Sequence, residues 1–300
     1  MDIPPAEVQR LTGFANLFLL LSFVLIVCNG SVDLLSATVS CLTWLEEWLL
    51  YFEWTWGRTN ARFHDLVAKY KIGDPAIRNI IRQKRNIILK ARSMWPFYAT
   101  YEEDEKLRHS SWNVRYWGER IVFWDDTDIG MLKPSDAGLN RRTYSSYYGG
   151  NVAKGGVFIQ LCGWLGVWEL WMGAVSDTYY IMKSGILGSQ KDFALLDLSS
   201  DVPFTNILDK GYRCSVAAWR LGQFVLQPSF AKSDQQFTTN HLLSSAAIAT
   251  DRGGNERAVN VCKRSGLLQK GLAKNGSMTD MDDAWQAWSF QANFTFRPVM

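Results

Sequence analysis

Near Trp112 the chain changes texture, and that change limits what it can fold into. Up to about residue 100 the sequence reads as helical. Beyond it, short apolar runs of strand length alternate with helical segments. Arg120–Asp125, Gly156–Leu165, Trp168–Val175, Asn206–Asp209 and Gln223–Gln227 read as strands, and Asp177–Gln190 and Glu256–Leu268 as helices. The order is three strands, helix, strand, intervening segments, strand, helix. Strands interleaved with helices imply an α/β sheet packed by helices.

Three acids stand out by their place in this pattern. Asp125 ends the first strand, Asp209 ends the fourth, and Glu256 opens the last helix. Groups at strand ends of an α/β sheet meet in a common crevice. Three carboxylates brought together there resist ionisation unless a cation joins them. Hard divalent ions, Mg²⁺ above all, prefer such oxygen ligands. Two of them roughly 4 Å apart suit phosphoryl transfer. That chemistry needs no histidine base, in keeping with only three histidines, His64, His109 and His241. Each acid taken singly is as well explained as a cap or a surface residue; the weight lies in the three positions together.

The helical part carries its own signals. Pro4-Pro5 precede a helical start, Asn29-Gly30 punctuates the first apolar segment, and Ser31 or Asp33 suits the cap of the next helix. Thr43–Trp56 reads as a helix with Glu46, Glu47 and Glu53 on its wet side. From Phe63 the spacing predicts a helix-turn-helix within residues 63–92. The first helix ends near Lys71, Gly73 supplies the turn, and Asp74 caps a second helix with Pro75 at its first position. Ile77, Ile80 and Ile81 then share a buried face, and Arg78, Arg82 and Arg85 another face open to DNA. Eight basic residues and one acid, Asp74, lie between Leu66 and Arg92. A basic stripe of this kind attracts phosphates, although a solvated helix face looks the same.

Composition adds limits rather than a function. Of 300 residues, 47% are hydrophobic and 20% charged, an ordinary globular balance. The net charge of +3 is too small to imply a nucleic-acid partner by itself. Five widely spaced cysteines with no CxxC suggest neither a zinc site nor a disulfide framework. Residues 11–32 carry no charge, but the strongly apolar stretch Leu17–Val27 is shorter than the roughly 20 residues a spanning helix needs. A buried core helix is the expectation there, with no membrane partner.

Residues from about 120 to 272 resemble the DDE nuclease domain of Harbinger-type transposases. The segment Trp124-Asp-Asp-Thr-Asp-Ile is similar to that family's first motif, an Asp-Gly-Thr after an apolar strand. The match places the acid at Asp125, with Asp126 where Gly is usual. Ile207-Leu-Asp-Lys-Gly-Tyr-Arg resembles the second motif, an apolar pair followed by Asp-x-Gly-Tyr, and points to Asp209, with the Gly permitting a sharp turn. Arg252-Gly-Gly-Asn-Glu-Arg resembles the third, an Arg followed four residues later by Glu-Arg, and points to Glu256. Gly173-Ala-Val-Ser-Asp177 is similar to the stretch Gly-Ser-x-x-Asp before the family's first helix. Asp209 and Glu256 lie 47 residues apart, in keeping with the family.

The resemblance implies an RNase H-like mixed-sheet domain over 114–300, preceded over 1–113 by an all-helical region with the helix-turn-helix candidate. It implies a transposase that hydrolyses and transfers DNA strands, with Asp125, Asp209 and Glu256 binding two Mg²⁺ or Mn²⁺ ions. Double-stranded DNA, both transposon ends and target, is the expected partner, with Lys210, Arg213, Lys263 and Arg264 as further phosphate contacts. A Myb-like DNA-binding protein, a homodimer and a nuclear address are also implied. The main alternative is a catalytically inactive, domesticated DNA-binding protein of the same descent.

Overall fold

The computed structural model describes residues 4–30, 38–56, 62–229, 238–265, 268 and 277–295. The suggested caps Ser31 and Asp33 lie outside these residues. Two compact units emerge, one from Met1–Pro96 with Val261–Arg297 and one centred on Phe97–Asn260. The sequence reading drew a single boundary, at 113/114.

In the first unit, the described residues that lead the chain form α1 (Pro5–Thr12), α2 (Leu17–Val27), α3 (Trp44–Thr55), α4 (Phe63–Tyr70) and α5 (Asp74–Met94). Helix α3 starts where it does because Thr43 and Glu46 form a reciprocal capping box. Helix α5 buries Ile77, Ile80, Ile81, Lys84, Arg85, Ile88 and Ala91, a stripe at helical spacing. Phe14, Phe23 and Phe52 meet at ring separations of 5.3–5.9 Å, and Trp48 stacks on Phe52.

Several sequence expectations change here. Lys71, not Gly73, takes the left-handed turn at φ 54°, while Gly73 is the cap of α5. Glu47 and Glu53 are buried rather than wet, because each finds a cation. Glu47 meets Lys84 at 2.8 Å, both fully inaccessible, and Glu53 meets Lys69 at 2.7 Å. On α2 only Leu20, Phe23, Val24 and Val27 are buried, and Phe18, Leu19 and Leu25 are exposed. No single helix among the described residues is long and apolar enough to cross a membrane. Helices α1 and α2 pass that test together, with a 47° bend between them.

The second unit is α/β. Two short helices, α6 (Tyr101–Leu107) and α7 (Ser110–Arg115), precede strand β1 (Arg120–Gly130). There follow α8 (Ala137–Thr143), β2 (Tyr144–Ser145), β3 (Gly150–Gln160), β4 (Leu165–Val167) and β5 (Trp171–Met172). Next come α9 (Asp177–Lys183), α10 (Ile186–Leu196), β6 (Phe204–Ile207), α11 (Ser215–Arg220) and β7 (Phe224–Leu226). Helix α12 (Thr239–Lys263) belongs to this unit as far as Asn260, and its last residues and α13 (Met278–Thr295) belong to the first.

The sheet is mixed. β1 lies at its centre, antiparallel to β3 and parallel to β6; β6 is parallel to β7, and β4 and β5 pair with the far side of β3. Trp124, Phe158, Tyr180, Phe204 and Tyr212 form the core on one face of it. Several boundaries differ from the sequence expectation: the second strand is Gly150–Gln160, Trp168–Val175 holds only the two-residue β5, and Asp177–Gln190 is divided between α9 and α10. β1 does not stop at Asp125 but continues to Gly130, because β3 pairs with it as far as Val152. Glu256 does not open the last helix: α12 starts at Thr239, and another helix follows it.

Candidate active site

β1 ends its partnership with β6 before it ends its partnership with β3. The last parallel pair is Phe123 with Ile207. Asp125 and Asp209 each lie two residues beyond it, so the register brings them to the same level of the sheet. A single cation reaches both. Arg252, on α12, donates to Asp209 Oδ1 at 2.9 Å, and its other terminal nitrogen lies 3.8 Å from Asp125 Oδ2. The loop after β6 is held by Gln227, whose amide donates to the carbonyls of Asp209 and Tyr212, both at 2.6 Å. The expected turn is present at Lys210-Gly211, closed by the Tyr212 amide on the Asp209 carbonyl at 3.3 Å, without a positive φ at Gly211.

Helix α12 is fixed beside the acids by the residue before Arg252. Asp251 is buried and accepts from the Tyr116 hydroxyl and from Arg115 at 2.8 Å. Burial raises the Asp125 carboxyl above its ordinary range, and Arg252 pulls it back only in part.

Asp126 faces the other way, since successive strand residues alternate between faces. Burial pushes its carboxyl well up, the nearby Asp177 adds to that, and Lys154 opposes it. Lys154 pairs with Asp177 at the start of α9. The Tyr212 phenol, buried beside these acids, is likewise driven well above its usual range by burial and by Asp126. Opposite Asp126 in the ladder stands Gly156, whose amide donates to the Tyr180 hydroxyl at 2.9 Å. That hydroxyl donates in turn to the Glu169 carbonyl at 2.7 Å. A Cβ on Gly156 would fall 2.7 Å from the Tyr180 ring. The choice between Asp125 and Asp126 is thus a choice of face, and it is Asp125 that meets Asp209.

Glu256 is exposed, one helical turn beyond Arg252, and forms no ion pair among the described residues. No three acids among the described residues lie close enough to hold one ion in common. The donors present nevertheless suit a hard cation: Asp125 and Asp209 already share a positive charge. Asn255, buried on α12 between Arg252 and Glu256, has both its amide atoms without a hydrogen-bond partner among the described residues.

The expected DNA contacts divide. Arg78 and Arg82 are exposed one turn apart on α5, Arg78 paired with Asp74 at 3.1 Å and lying over the Phe63 ring. Arg85 is a correction. It is buried and paired with Asp280 and Asp283 of α13, at 3.2 and 3.5 Å, so it does not share their open face. Lys210 and Arg213 are exposed on the loop that carries Asp209. Lys263 and Arg264 are exposed but belong to the helical unit. Sequence reading gave no role to Arg252, Lys154, Asp177 or Tyr212. Three of them stood inside the quoted motifs, and the spacing of Arg252 four residues before Glu256 was the signal for a shared helix side. No family model, curated protein or solved structure matches the chain.

Proposed function

We propose that the α/β unit is an RNase H-like nuclease domain and that the chain is a metal-dependent DNA transposase of the Harbinger type. The observation that carries this reading is the meeting of Asp125, on β1, and Asp209, two residues past the end of the parallel strand β6, around one guanidinium. The sheet order supports it. The order β2-β3-β1-β6-β7, with β4 and β5 also paired to β3 and with β3 antiparallel to β1, contains the strand arrangement expected of that fold.

In this reading Asp125 and Asp209, with Glu256 on the same helix as Arg252, would hold the divalent ions. When bound, two such ions lower the pKa of the attacking water or 3′-hydroxyl and offset charge on the leaving oxygen. Lys210 and Arg213, beside Asp209, hold the phosphates of the strand being cut. Arg78 and Arg82 on α5 bind duplex backbone. Arg252 keeps the acid pair assembled while no metal is bound.

A second reading, an inactive DNA-binding descendant of such an enzyme, draws support from the exposed position of Glu256. One experiment separates the two. Mn²⁺ is titrated calorimetrically into wild type and Asp209→Asn, and both are assayed for plasmid nicking. Binding and nicking that vanish together in the variant are expected. A folded wild type that binds no Mn²⁺ sinks the catalytic reading and leaves the second.

A further inference from the structure

Past Asp125, β1 runs five more residues to Gly130, about 17 Å at the usual rise of a strand. Its partner β3 begins there, and between the two strands the chain builds an arm from α8, β2 and the β2–β3 turn. The arm therefore projects from the same end of the sheet at which the acids gather.

Its chemistry is unusual for a surface. Tyr147, at the turn, is 98% exposed, and Tyr144 and Tyr148 are about half exposed. Lys133, Arg141 and Arg142 are also exposed, and none of the three forms an ion pair among the described residues. The one acid between Met131 and Gly150 is Asp136, which is occupied as the cap of α8, accepting from the Leu139 amide at 2.6 Å.

The arm is firmly mounted. Ser145 donates to Asp128 at 3.2 Å and accepts from the Tyr148 amide at 3.2 Å. Gly149, at φ 74°, donates back to the Ser145 carbonyl at 2.9 Å and closes the turn. Asn151 donates to Thr143 at 2.8 Å and to the Asn140 side chain at 2.8 Å, tying α8 to β3. A rigid mount presents Tyr147 to solvent at little further cost in entropy on binding.

We propose that this arm is a binding surface for unpaired DNA, with Tyr147 stacking on a nucleobase while Arg141, Arg142 and Lys133 hold the backbone phosphates. An exposed aromatic ring on the same arm as cations without ion pairs is the combination that single strands engage, because every unpaired base offers a π-face and every linkage a charge. A duplex hides its base faces in the stack and would use only the cations. The inference rests on the nuclease reading, which supplies strands cut or opened beside the acids.

The test uses fluorescein-labelled dT15 and a 15-base-pair duplex, with the full chain in EDTA so that nothing is cut, followed by anisotropy. Tyr147→Ser is expected to weaken dT15 binding by about five- to hundredfold, the effect of losing one base–aromatic stack. Tyr147→Phe keeps the ring and is expected to bind as wild type does, and both variants leave the duplex unchanged. The double variant Arg141→Gln/Arg142→Gln weakens dT15 and flattens its salt dependence by about 0.7 in slope for each phosphate no longer neutralised. Undiminished dT15 binding by Tyr147→Ser, an equal loss on the duplex, or no dT15 binding by wild type overturns the proposal. If the arm fails while Mn²⁺ binding and nicking persist, the nuclease reading stands. Loss of dT15 binding in Tyr147→Ser by a protein that takes no Mn²⁺ leaves the arm standing and the nuclease reading fallen.

Discussion

The two ends of β1 use the same residue types in opposite ways. At its start, Arg120 meets Asp197 at 2.6 Å and Arg108 meets Asp104 at 2.9 Å, all four side chains essentially inaccessible. Each acid has its own cation and further donors: the Tyr101 amide and Ser199 for Asp197, the Cys162 amide for Asp104. Arg120 also lies 4.2 Å over the Phe204 ring. Toward the other end, two cations serve four acids: Arg252 pairs with Asp125 and Asp209, and Lys154 pairs with Asp177 close to Asp126. Matched charge of the first kind fixes the strand in place. Negative charge in excess of its partners keeps carboxyls such as Asp125 and Asp126 above their ordinary range, as functional sites often do.

The largest expected effect breaks the matched end. Arg120→Met leaves Asp197 buried without its cation and should cost about 3–5 kcal/mol in urea unfolding. A loss below about 1 kcal/mol would mean that the two ends do not differ in this way. Next, at the unmatched end, Asp209→Asn should lower plasmid nicking by about 10²–10³-fold, the size of losing one electrostatic partner of a transition state. The same end should respond in the opposite sense when stability is measured. Asp126→Asn removes a buried charge crowded by Asp177, so the metal-free melting temperature should rise by about 2–4 °C. A fall would show that Asp126 is held by partners as Asp197 is.

Acid sharpens the contrast further. Burial raises Asp197, but hydrogen bonds from Ser199 and the Tyr101 amide outweigh it and hold the carboxyl low. Its contribution is present above the ordinary carboxylate value near 4 and is lost as pH falls through the lowered pKa. Asp126 is raised, so the folded state takes up its proton first. Stability gained from that group therefore grows as pH falls through the raised pKa toward the ordinary value, and is absent at higher pH. Subtracting the unfolding profile of Asp126→Asn from that of wild type, and likewise for Asp197→Asn, should give slopes of opposite sign. The smallest effect is Arg252→Met, expected to destabilise the metal-free protein by no more than about 1 kcal/mol because Asp209 is half exposed.

What the sequence revealed follows from the range of the interactions involved. The short strands β6 and β7 were legible because apolar runs bounded by turn residues are local signals, and the acid at the end of β6 came with them. The extension of β1 was not. Asp125-Asp-Thr-Asp128 reads as a polar loop, and only the ladder with β3, which lies beyond an intervening helix and turn, makes it strand. Helix α12 was shortened because Gly253-Gly254 interrupts its middle, at a cost in propensity that Asp251 and Arg252 offset through tertiary bonds. Arg85 was placed on the wrong face because its partner Asp280 lies 195 residues downstream. Glu47 looked wet for the same reason: nothing local announces Lys84.

Gly156 has no polar side chain and takes part in no chemistry, yet a methyl group there would strike the ring of Tyr180 beside the acids. Among diverging descendants of this chain, selection would hold that glycine as tightly as Asp125 or Asp209. On the nuclease reading, loss of activity would release the carboxylates to drift, while the glycine stayed for as long as the sheet had to fold. On that reading a lineage in which Gly156 persists and the acids vary would carry the record of an abandoned site, and one in which all three persist would mark a site still in use.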